Sequence, residues 1–210
     1  MAGAGRRTFT PGEVLTASNV MNYLQDQAVM NFAGTAARGS AIGTAVAEGM
    51  VSYLADTNSV EVYDASSWQS LNPAGRVVQT IFATTSTTVS TTTNVDTGLE
   101  ASITPIYANS DIYVTVHQMG LERPASSSVQ TVNIRLFKNG SLQHSFGTDI
   151  FYTASVLLMQ GSMSGAYKET VSSTATISYK TNLRANVTAS TVSAQKNGDT
   201  SIMIIQEIAR

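Results

Sequence analysis

The strongest constraint on the fold is the stretch from residue 76 to residue 210, in which every periodic segment has the character of a β-strand. Short runs rich in Val, Ile and Thr are separated by turn residues, and the Asn-Gly pair at 139–140 is a strong hairpin signal. The predicted strands cover residues 77–83, 87–95, 99–104, 111–118, 130–138, 141–146, 155–162, 174–180, 186–193 and 201–208. Strands at this spacing predict an antiparallel β-sandwich or jelly roll.

The Thr-rich run TIFATTSTTVSTTTNV, residues 80–95, could be a linker or part of this sheet. Threonine is β-branched and favours extended backbone, and the run also carries apolar residues such as Ile81, Phe82 and Val89. We therefore predict one or two strands here, with a bend near 84–86 and a turn at 96–98. Uncharged threonines also suggest a sheet edge or a subunit interface.

Two other strands have informative patterns. In residues 111–118, Ile112, Val114 and Val116 alternate with polar residues and predict a buried face, with His117 on the opposite face. The last strand, SIMIIQEI at 201–208, is apolar enough to be central in its sheet.

The N-terminal part has a different pattern, which predicts a short helix. Helix-start signals occur at Thr10 with Glu13 and again at Thr16 or Ser18. We predict a helix of about four turns near residues 17–31, followed by an extended connector at 33–48. Its narrow apolar stripe would be marginal alone and needs a partner surface, and it consists of Val20, Met21, Leu24 and Ala28.

Residues 50–71 predict a three-stranded β-meander with strands at 50–54, 60–63 and 67–71. Met50, Val62 and Trp68 are expected on its inner face. A sheet this small is hard to stabilise without a neighbour.

The sequence predicts three parts: an arm and helix at 1–32, a linker and meander at 33–75, and a displayed β-domain at 76–210. The turn-forming residues Asn72-Pro73-Ala74-Gly75 mark the boundary before the β-domain.

Composition excludes several functional classes. Only 12% of residues are charged, about half of the ~25% usual in soluble proteins. The net charge of −2 gives no excess of positive charge for binding nucleic acid. The absence of cysteine excludes disulfides and thiolate metal sites. The first residues lack the apolar core of a signal peptide, and no apolar run is long enough for a membrane span, so we expect synthesis in the cytoplasm.

No catalytic constellation is evident. The two histidines, His117 and His144, lack partners at metal-ligand spacing, and no Gly-x-Ser-x-Gly motif is present. A Ser-His-Asp site or a glycosidase-type carboxylate pair would have to form in space. The carboxylates weighed for such a pair are Asp56, Asp64, Asp96, Asp111, Asp149, Glu169, Asp199 and Glu207. We predict no enzyme, no cofactor and no metal.

Aromatic residues offer two candidate surfaces. Trp68 and Tyr63 could form a platform for a sugar or peptide, although we favour a place in the core of the meander. Residues expected on an outer surface of the β-domain are Tyr107, Tyr113, Phe151, Tyr152 and Tyr167.

Residues 38–68 resemble a module common in bacteriophage virion proteins, with the pattern R-x-S-A-I, E-G-M-V-x-Y-L-x-D-T-N and V-x-V-Y-D-G-S-x-W. The matching positions are Arg38, Ser40, Ala41, Ile42, Glu48, Gly49, Met50, Tyr53, Leu54, Asp56, Thr57, Asn58, Val62, Tyr63, Asp64 and Trp68. Ala65 stands where the family usually has Gly. The Thr-rich start of the β-domain and its last strand also resemble those of phage tail-fibre and head-fibre proteins.

The resemblance implies a homotrimeric fibre or minor tail protein, exposed on the virion and attached by its N-terminal part to other tail or capsid proteins. The trimer interface would use Val20, Met21, Leu24, Ala28, Met50, Val62 and Trp68. The displayed domain could bind a host glycan or protein through loops at 119–129, 147–154 and 163–172. The alternative is a capsid decoration or head-fibre protein without a specific receptor, and a remote one is a polysaccharide-degrading enzyme.

Overall fold

The structure, a computed structural model, describes residues 8–25, 28–125, 130–153, 155–186 and 190–210. The chain divides into two compact units, Met1–Pro73 and Ala74–Arg210. The prediction of a mainly β protein is confirmed, since the described residues form fourteen strands in three sheets. None of the described helices is long and apolar enough to span a membrane.

The N-terminal unit begins with a short helix that is capped where the sequence indicates. Helix α1 covers Ala17–Val20 and continues as one π-helical turn, Met21–Gln25. The Thr16 hydroxyl accepts a hydrogen bond from the Asn19 amide at 3.1 Å, which satisfies one of the free amides at the helix start. At the earlier signal, the Thr10 amide donates to the Glu13 carboxylate at 3.1 Å, but the backbone there forms only a turn.

The predicted four-turn helix over 17–31 is too long. Strand β1, Val29–Phe32, occupies its last turn and pairs in parallel with β2, Val51–Leu54. The ladder to β2 satisfies backbone groups that a lone helix end would leave to water, so tertiary pairing overrides the local helical pattern.

The predicted extended connector at 33–48 is also wrong. Helix α2, Thr35–Ile42, and a 3-10 turn, Gly43–Ala45, lie there. The segment is rich in alanine, the strongest helix former, and Gly43 with φ 53° ends the helix in a conformation that suits glycine.

The β-meander is confirmed and gains one strand. Strand β2 pairs with β3, Ser59–Tyr63, which pairs with β4, Trp68–Ser70, both antiparallel. With β1 the sheet order is β1-β2-β3-β4. Leu54 is the one buried hydrophobic side chain among the described residues of this unit.

The C-terminal unit is a sandwich of two sheets. Its strands are β5 Val77–Thr85, β6 Val89–Thr91, β7 Asn94–Ile103, β8 Asp111–Arg123, β9 Val132–Lys138, β10 Ser141–Ile150, β11 Met159–Thr170, β12 Ile177–Ala185, β13 Val192–Ala194 and β14 Ser201–Ile208. One sheet has the order β10-β9-β12-β7, and the other has the order β5-β14-β8-β13-β6, with β11 also paired to β8. Strand β14 lies between β5 and β8, which confirms its predicted central position.

The Thr-rich run supplies strands β5 and β6, which stand at opposite ends of the larger sheet. The predicted turn at 96–98 is wrong, because β7 runs through it. Gly98, with φ 78°, lies in an irregularity where the register with β12 shifts between Lys180 and Asn182. A local bulge in a continuous strand therefore has the same residue signature as a turn.

The other strand boundaries shift by a few residues. The hairpin at Asn139-Gly140 is confirmed, with φ 48° and 81° as a type I′ turn requires. The strand predicted from residue 155 begins at Met159, and the strand predicted at 186–193 is reduced to β13, with 187–189 outside the described residues.

Two apolar clusters fill the sandwich, and a belt of buried polar residues separates them along the strands. On β8, Val116 belongs to one cluster and Leu121 to the other, with Gln118 between them. On β12 the same order is Tyr179, Thr181, Leu183. The polar belt is fully buried and consists of Thr97, Gln118, Thr181, Gln195 and Ser201.

Hydrogen bonds connect the polar belt across the two sheets. The Thr181 hydroxyl lies 2.5 Å from that of Thr97 and donates to the Gln118 side-chain oxygen at 3.1 Å. The Gln118 amide in turn donates to the Ser201 hydroxyl at 2.8 Å, as does that of Gln195 at 2.9 Å. These bonds offset much of the cost of burying polar groups and tie the register of the two sheets together.

Glu207 on β14 is a buried carboxylate that holds the 104–110 connection. It accepts hydrogen bonds from the backbone amides of Ile106 and Tyr107 and from the side chains of Gln79 and Ser110. Burial alone would raise its pKa, but these donors outweigh burial and lower the pKa below its ordinary value of 4.5.

We expect the Glu207→Gln variant to lose part of the acid dependence of stability. Because the folded-state pKa is lower than the unfolded one, the ionised Glu207 stabilises the fold above the unfolded pKa, and this contribution is lost as pH falls through the folded pKa. Urea unfolding between pH 7 and pH 3 measures this. The variant should be less stable than the parent at pH 7, and the difference should shrink towards pH 3. A constant difference across the range would contradict this role for Glu207.

Candidate functional site

The residues that carry the resemblance in the N-terminal unit assemble around Arg38. Its guanidinium lies 4.0 Å from the centre of the Trp68 ring, donates to the Ser52 hydroxyl at 2.9 Å and forms an ion pair with Glu61. The Trp68 ring also packs against Tyr63, with ring centres 5.5 Å apart. Arg38 is 6% exposed, so α2, β2, β3 and β4 are held together by one buried cation.

This cluster takes the place of an apolar core. A cation over an aromatic face is worth up to about 2 kcal/mol when desolvated, and the Arg side chain also contributes packing along its stem. Trp68 is half-buried, and Arg38 covers a face of its ring. The structure therefore favours the core role for Trp68 over an open binding platform.

Asp64 organises the turn between β3 and β4. Its carboxylate accepts hydrogen bonds from the Ser67 amide at 2.8 Å, from the Ser66 hydroxyl at 2.8 Å and from the Ser66 amide at 3.0 Å. These bonds lower the pKa of Asp64 to about 2.

Ala65, between Asp64 and Ser66, has φ 73°, a left-handed conformation that costs roughly 1–2 kcal/mol for a residue with a Cβ. The departure from the phage pattern thus falls at a position where glycine fits the backbone better.

The residues predicted for a subunit interface fall into two groups. Val20, Met21 and Leu24 are 39%, 55% and 47% exposed, and Ala28 is also exposed. Met50, Val62 and Trp68 are half-buried within the meander unit. The predicted interface did not include further exposed apolar side chains of the same unit, among them Val14, Leu15, Val29 and Leu71.

A second uncovered surface is the outer face of the larger sheet. By strand register its three rows, taken in the order β5, β14, β8, β11, are Thr84, Ile202, His117, Ser164; Phe82, Ile204, Thr115, Ala166; and Thr80, Gln206, Tyr113, Lys168. Lys168 is the one formally charged residue in these rows, and it pairs with Asp111 at 2.8 Å. That contact raises the pKa of Lys168 and lowers that of Asp111.

The two histidines lie apart from each other. His117 is on the outer face, as predicted, with Nδ1 2.7 Å from the Ser164 hydroxyl. The His144 ring packs against Phe146 and Tyr167. No group of three or more potential metal ligands occurs within the described part of the chain.

The scattered carboxylates mostly have structural partners. Glu169 forms an ion pair with Lys138 and accepts a hydrogen bond from Tyr179, whose pKa is raised by burial and by this contact. Asp96 pairs with Lys180, and its pKa is lowered because this bond and one from Asn182 outweigh burial.

The predicted host-facing loops need correction. Residues 119–123, 147–150 and 163–170 belong to strands β8, β10 and β11, and 126–129 and 154 lie outside the described residues. Tyr107, Tyr113 and Tyr152 are exposed as predicted, whereas Phe151 and Tyr167 pack against the two apolar clusters. Glycines on β11 leave room for two rings: a Cβ at Gly161 would lie 3.1 Å from the Phe151 ring, and one at Gly165 would lie 2.4 Å from the Phe146 ring. The space above this strand is therefore filled by aromatic rings.

Comparison with known proteins identifies no family. No family of known proteins and no curated protein matches the sequence. Among solved structures, dimeric latent PorU from Porphyromonas gingivalis is 14% identical with a TM-score of 0.30, over 66% of this chain and 11% of PorU. VP2 of the infectious bursal disease virus subviral particle is 11% identical with a TM-score of 0.33, over 70% of this chain and 40% of VP2. Similarity at this level assigns no function, and the resemblance to phage proteins stays a prediction.

We expect the Ala65→Gly variant to stabilise the N-terminal unit by about 1 kcal/mol, because glycine removes the cost of the left-handed conformation. The unfolding temperature, monitored by fluorescence of Trp68, the single tryptophan, measures it. Ala36→Gly on the exposed side of α2 is the matched control, and it should lower stability by about 1 kcal/mol. Destabilisation by both variants would show that Ala65 is not under backbone strain.

We expect Arg38→Ala to destabilise the N-terminal unit by about 3 kcal/mol, because it leaves the Glu61 carboxylate without its cation and uncovers Trp68. Arg38→Lys should recover part of this loss, since it keeps the charge but not the planar face. Hydrogen exchange of the β2 and β3 amides reports the effect locally. Ala36→Ser, on the same helix, should leave exchange unchanged; equal exchange in the parent and Arg38→Ala would exclude a central role for Arg38.

Proposed function

We propose that this protein is a structural virion component of a tailed bacteriophage, a homotrimeric fibre or minor tail protein that is attached through its N-terminal unit and displays its C-terminal sandwich. One observation carries the proposal: within the described residues of the N-terminal unit a single hydrophobic side chain, Leu54, is buried, while a series of apolar side chains is exposed. A folded unit of this kind requires a partner surface.

The size of the exposed surface supports stable association. Val14, Leu15, Met21, Leu24 and Val29 are between 46% and 83% exposed. Complete burial of one such side chain stabilises by about 1.5–3 kcal/mol, so covering several of them in each subunit supplies the free energy that the unit lacks. A closed cyclic assembly lets every copy bury the same surface.

The two units differ in a way that suits attachment and display. Among the described residues, all the other buried hydrophobic side chains belong to the C-terminal unit, which therefore has its own core. Its stability does not require a partner, so it can face solvent on the particle. The resemblance of residues 38–68 to phage virion modules supports the same division of roles. The expectation of three subunits comes from that resemblance.

The alternative within this class is a capsid decoration or head-fibre protein that binds no specific receptor. It shares the same association and the same exposed sandwich. No catalytic arrangement among the described residues favours the remote alternative of an enzyme acting on polysaccharide.

We expect the full-length protein to have three times the mass of one chain in multi-angle light scattering. Replacing both Met21 and Leu24 by Asp should shift the mass towards that of one chain, because charged side chains cannot be buried in an apolar interface. Ala36→Lys is the matched surface control and should leave the mass unchanged. A parent protein that stays a monodisperse monomer would overturn the trimer.

Labelling whole particles distinguishes tail from capsid. Gold particles directed to a tag at the C-terminus should appear at fixed sites on the virion in electron micrographs, away from the particle surface to which the N-terminal unit is bound. Absence of the protein from purified particles would overturn the virion role.

A further inference from the structure

A cavity of about 310 Å³ opens in the C-terminal unit where the pairing of β8 and β11 is interrupted. Its walls come from residues 119–121 on β8, residues 160–162 on β11 and the turn at 196–199. The volume is at the lower end of the range for small-ligand sites and suits a ligand of about one ring.

A β-bulge produces the opening. Gly161 pairs with Leu121 and Met163 pairs with Gln118, so two residues of β8, Met119 and Gly120, face the single residue Ser162. Bulges of this kind commonly lie beside functional sites, because they redirect side chains and leave backbone groups outside the ladder.

The turn that closes the cavity has an unusual backbone. Gln195, Asn197 and Gly198 have φ of 52°, 60° and 79°. Gly120 also has a positive φ, of 58°, and a Cβ there would lie 2.4 Å from the Lys196 amide nitrogen. Non-glycine residues in this conformation persist only where the surroundings enforce it, and they cluster at binding sites.

The polar belt enforces this conformation. The buried Gln195 side chain donates to the Ser201 hydroxyl at 2.9 Å, and its backbone amide donates to the Met119 carbonyl at 3.0 Å. The Thr88 hydroxyl donates to the Gln195 carbonyl at 2.6 Å. The turn is therefore held rigidly against the bulge, and the cavity is formed before any ligand arrives.

The polar groups of the cavity offer both donors and acceptors. Lys196 pairs with Glu122 at 3.2 Å, and Gln160 donates to the same carboxylate at 2.6 Å, so the cation is already compensated. The side chains of Ser162, Asn197 and Asp199 have no hydrogen bond or ion pair to any other described residue. Met119 and the adjoining glycines add apolar surface.

We propose that this cavity binds a neutral polyhydroxylated ligand, a single pyranose unit of a saccharide. A hydroxyl group both donates and accepts, so neighbouring hydroxyls can donate to Asp199 and accept from Asn197 and Ser162. Asp199 disfavours an anion, and Lys196 is neutralised by Glu122, while Met119 offers apolar surface for the C–H groups of a sugar ring. The inference concerns the C-terminal unit alone and does not rest on the proposed virion role.

Saturation-transfer NMR of the full-length protein tests the proposal with methyl α-glucoside, methyl β-galactoside and N-acetylglucosamine at millimolar concentration. At least one should bind, and Asp199→Asn and Asn197→Gly should each weaken that binding about tenfold, equivalent to roughly 1.4 kcal/mol. Glycine is chosen at 197 because it keeps the positive φ while removing the amide.

Glu100→Gln, which removes an exposed carboxylate on β7 outside the cavity, is the matched control and should bind as the parent does. Equal unfolding temperatures of the variants and the parent establish that the fold is intact. The proposal is overturned if none of the three sugars binds, if Asp199→Asn binds as tightly as the parent, or if inorganic phosphate or methylammonium binds in preference to them. Sugar binding and the subunit mass are measured independently. A protein that binds no sugar can still be a trimer, and a monomer can still bind a sugar.

Discussion

The structure depends on how unevenly apolar surface is buried along the chain. In the C-terminal unit, alternating side chains from two sheets meet face to face and exclude water, which provides most of the driving force for folding. In the N-terminal unit, the described residues form three short antiparallel strands, one parallel strand and two short helices, and they enclose one buried hydrophobic side chain. The C-terminal unit therefore has a core of its own, whereas the described residues of the N-terminal unit leave many apolar side chains exposed.

The N-terminal unit partly compensates with Arg38. A buried guanidinium between an indole ring, a carboxylate and a hydroxyl connects elements that an apolar core would normally join. Such an arrangement gives orientation more than net stability, because desolvation of the charges offsets much of their attraction. It specifies how α2 packs on the sheet, while apolar side chains such as Val14, Leu15 and Met21 stay exposed.

In the sandwich, polar side chains define positions that hydrophobic packing would leave loose. The polar belt fixes the relative register of β7, β8, β12 and β14, since a shift by one residue would leave buried hydroxyl and amide groups without partners. The same belt holds the 195–198 turn against the bulge in β8. A feature required for packing thus also positions a surface turn with positive φ at Gln195, Asn197 and Gly198.

Where the local residue pattern agrees with burial in the structure, the sequence alone was sufficient to predict the element. The alternation of Ile112, Val114 and Val116 identified a core face, the apolar run at 201–208 identified a central strand, and Asn139-Gly140 identified a hairpin. Each signal acts within a few residues, through side-chain alternation or through the backbone conformation of the turn itself.

The tertiary structure decided everything that depends on a distant partner. Residues 29–32 form a strand because β2 offers a ladder, and Gly98 lies in a bulge because β12 continues beside it. The Phe146 and Phe151 rings pack over β11 because Gly165 and Gly161 leave room for them. The role of Arg38 and the cavity beside Gly120 likewise involve residues far apart in sequence. The sequence by itself determined which segments extend and which faces are apolar, whereas pairing and packing between distant segments determined where those faces meet, because hydrogen-bond ladders and burial act through space.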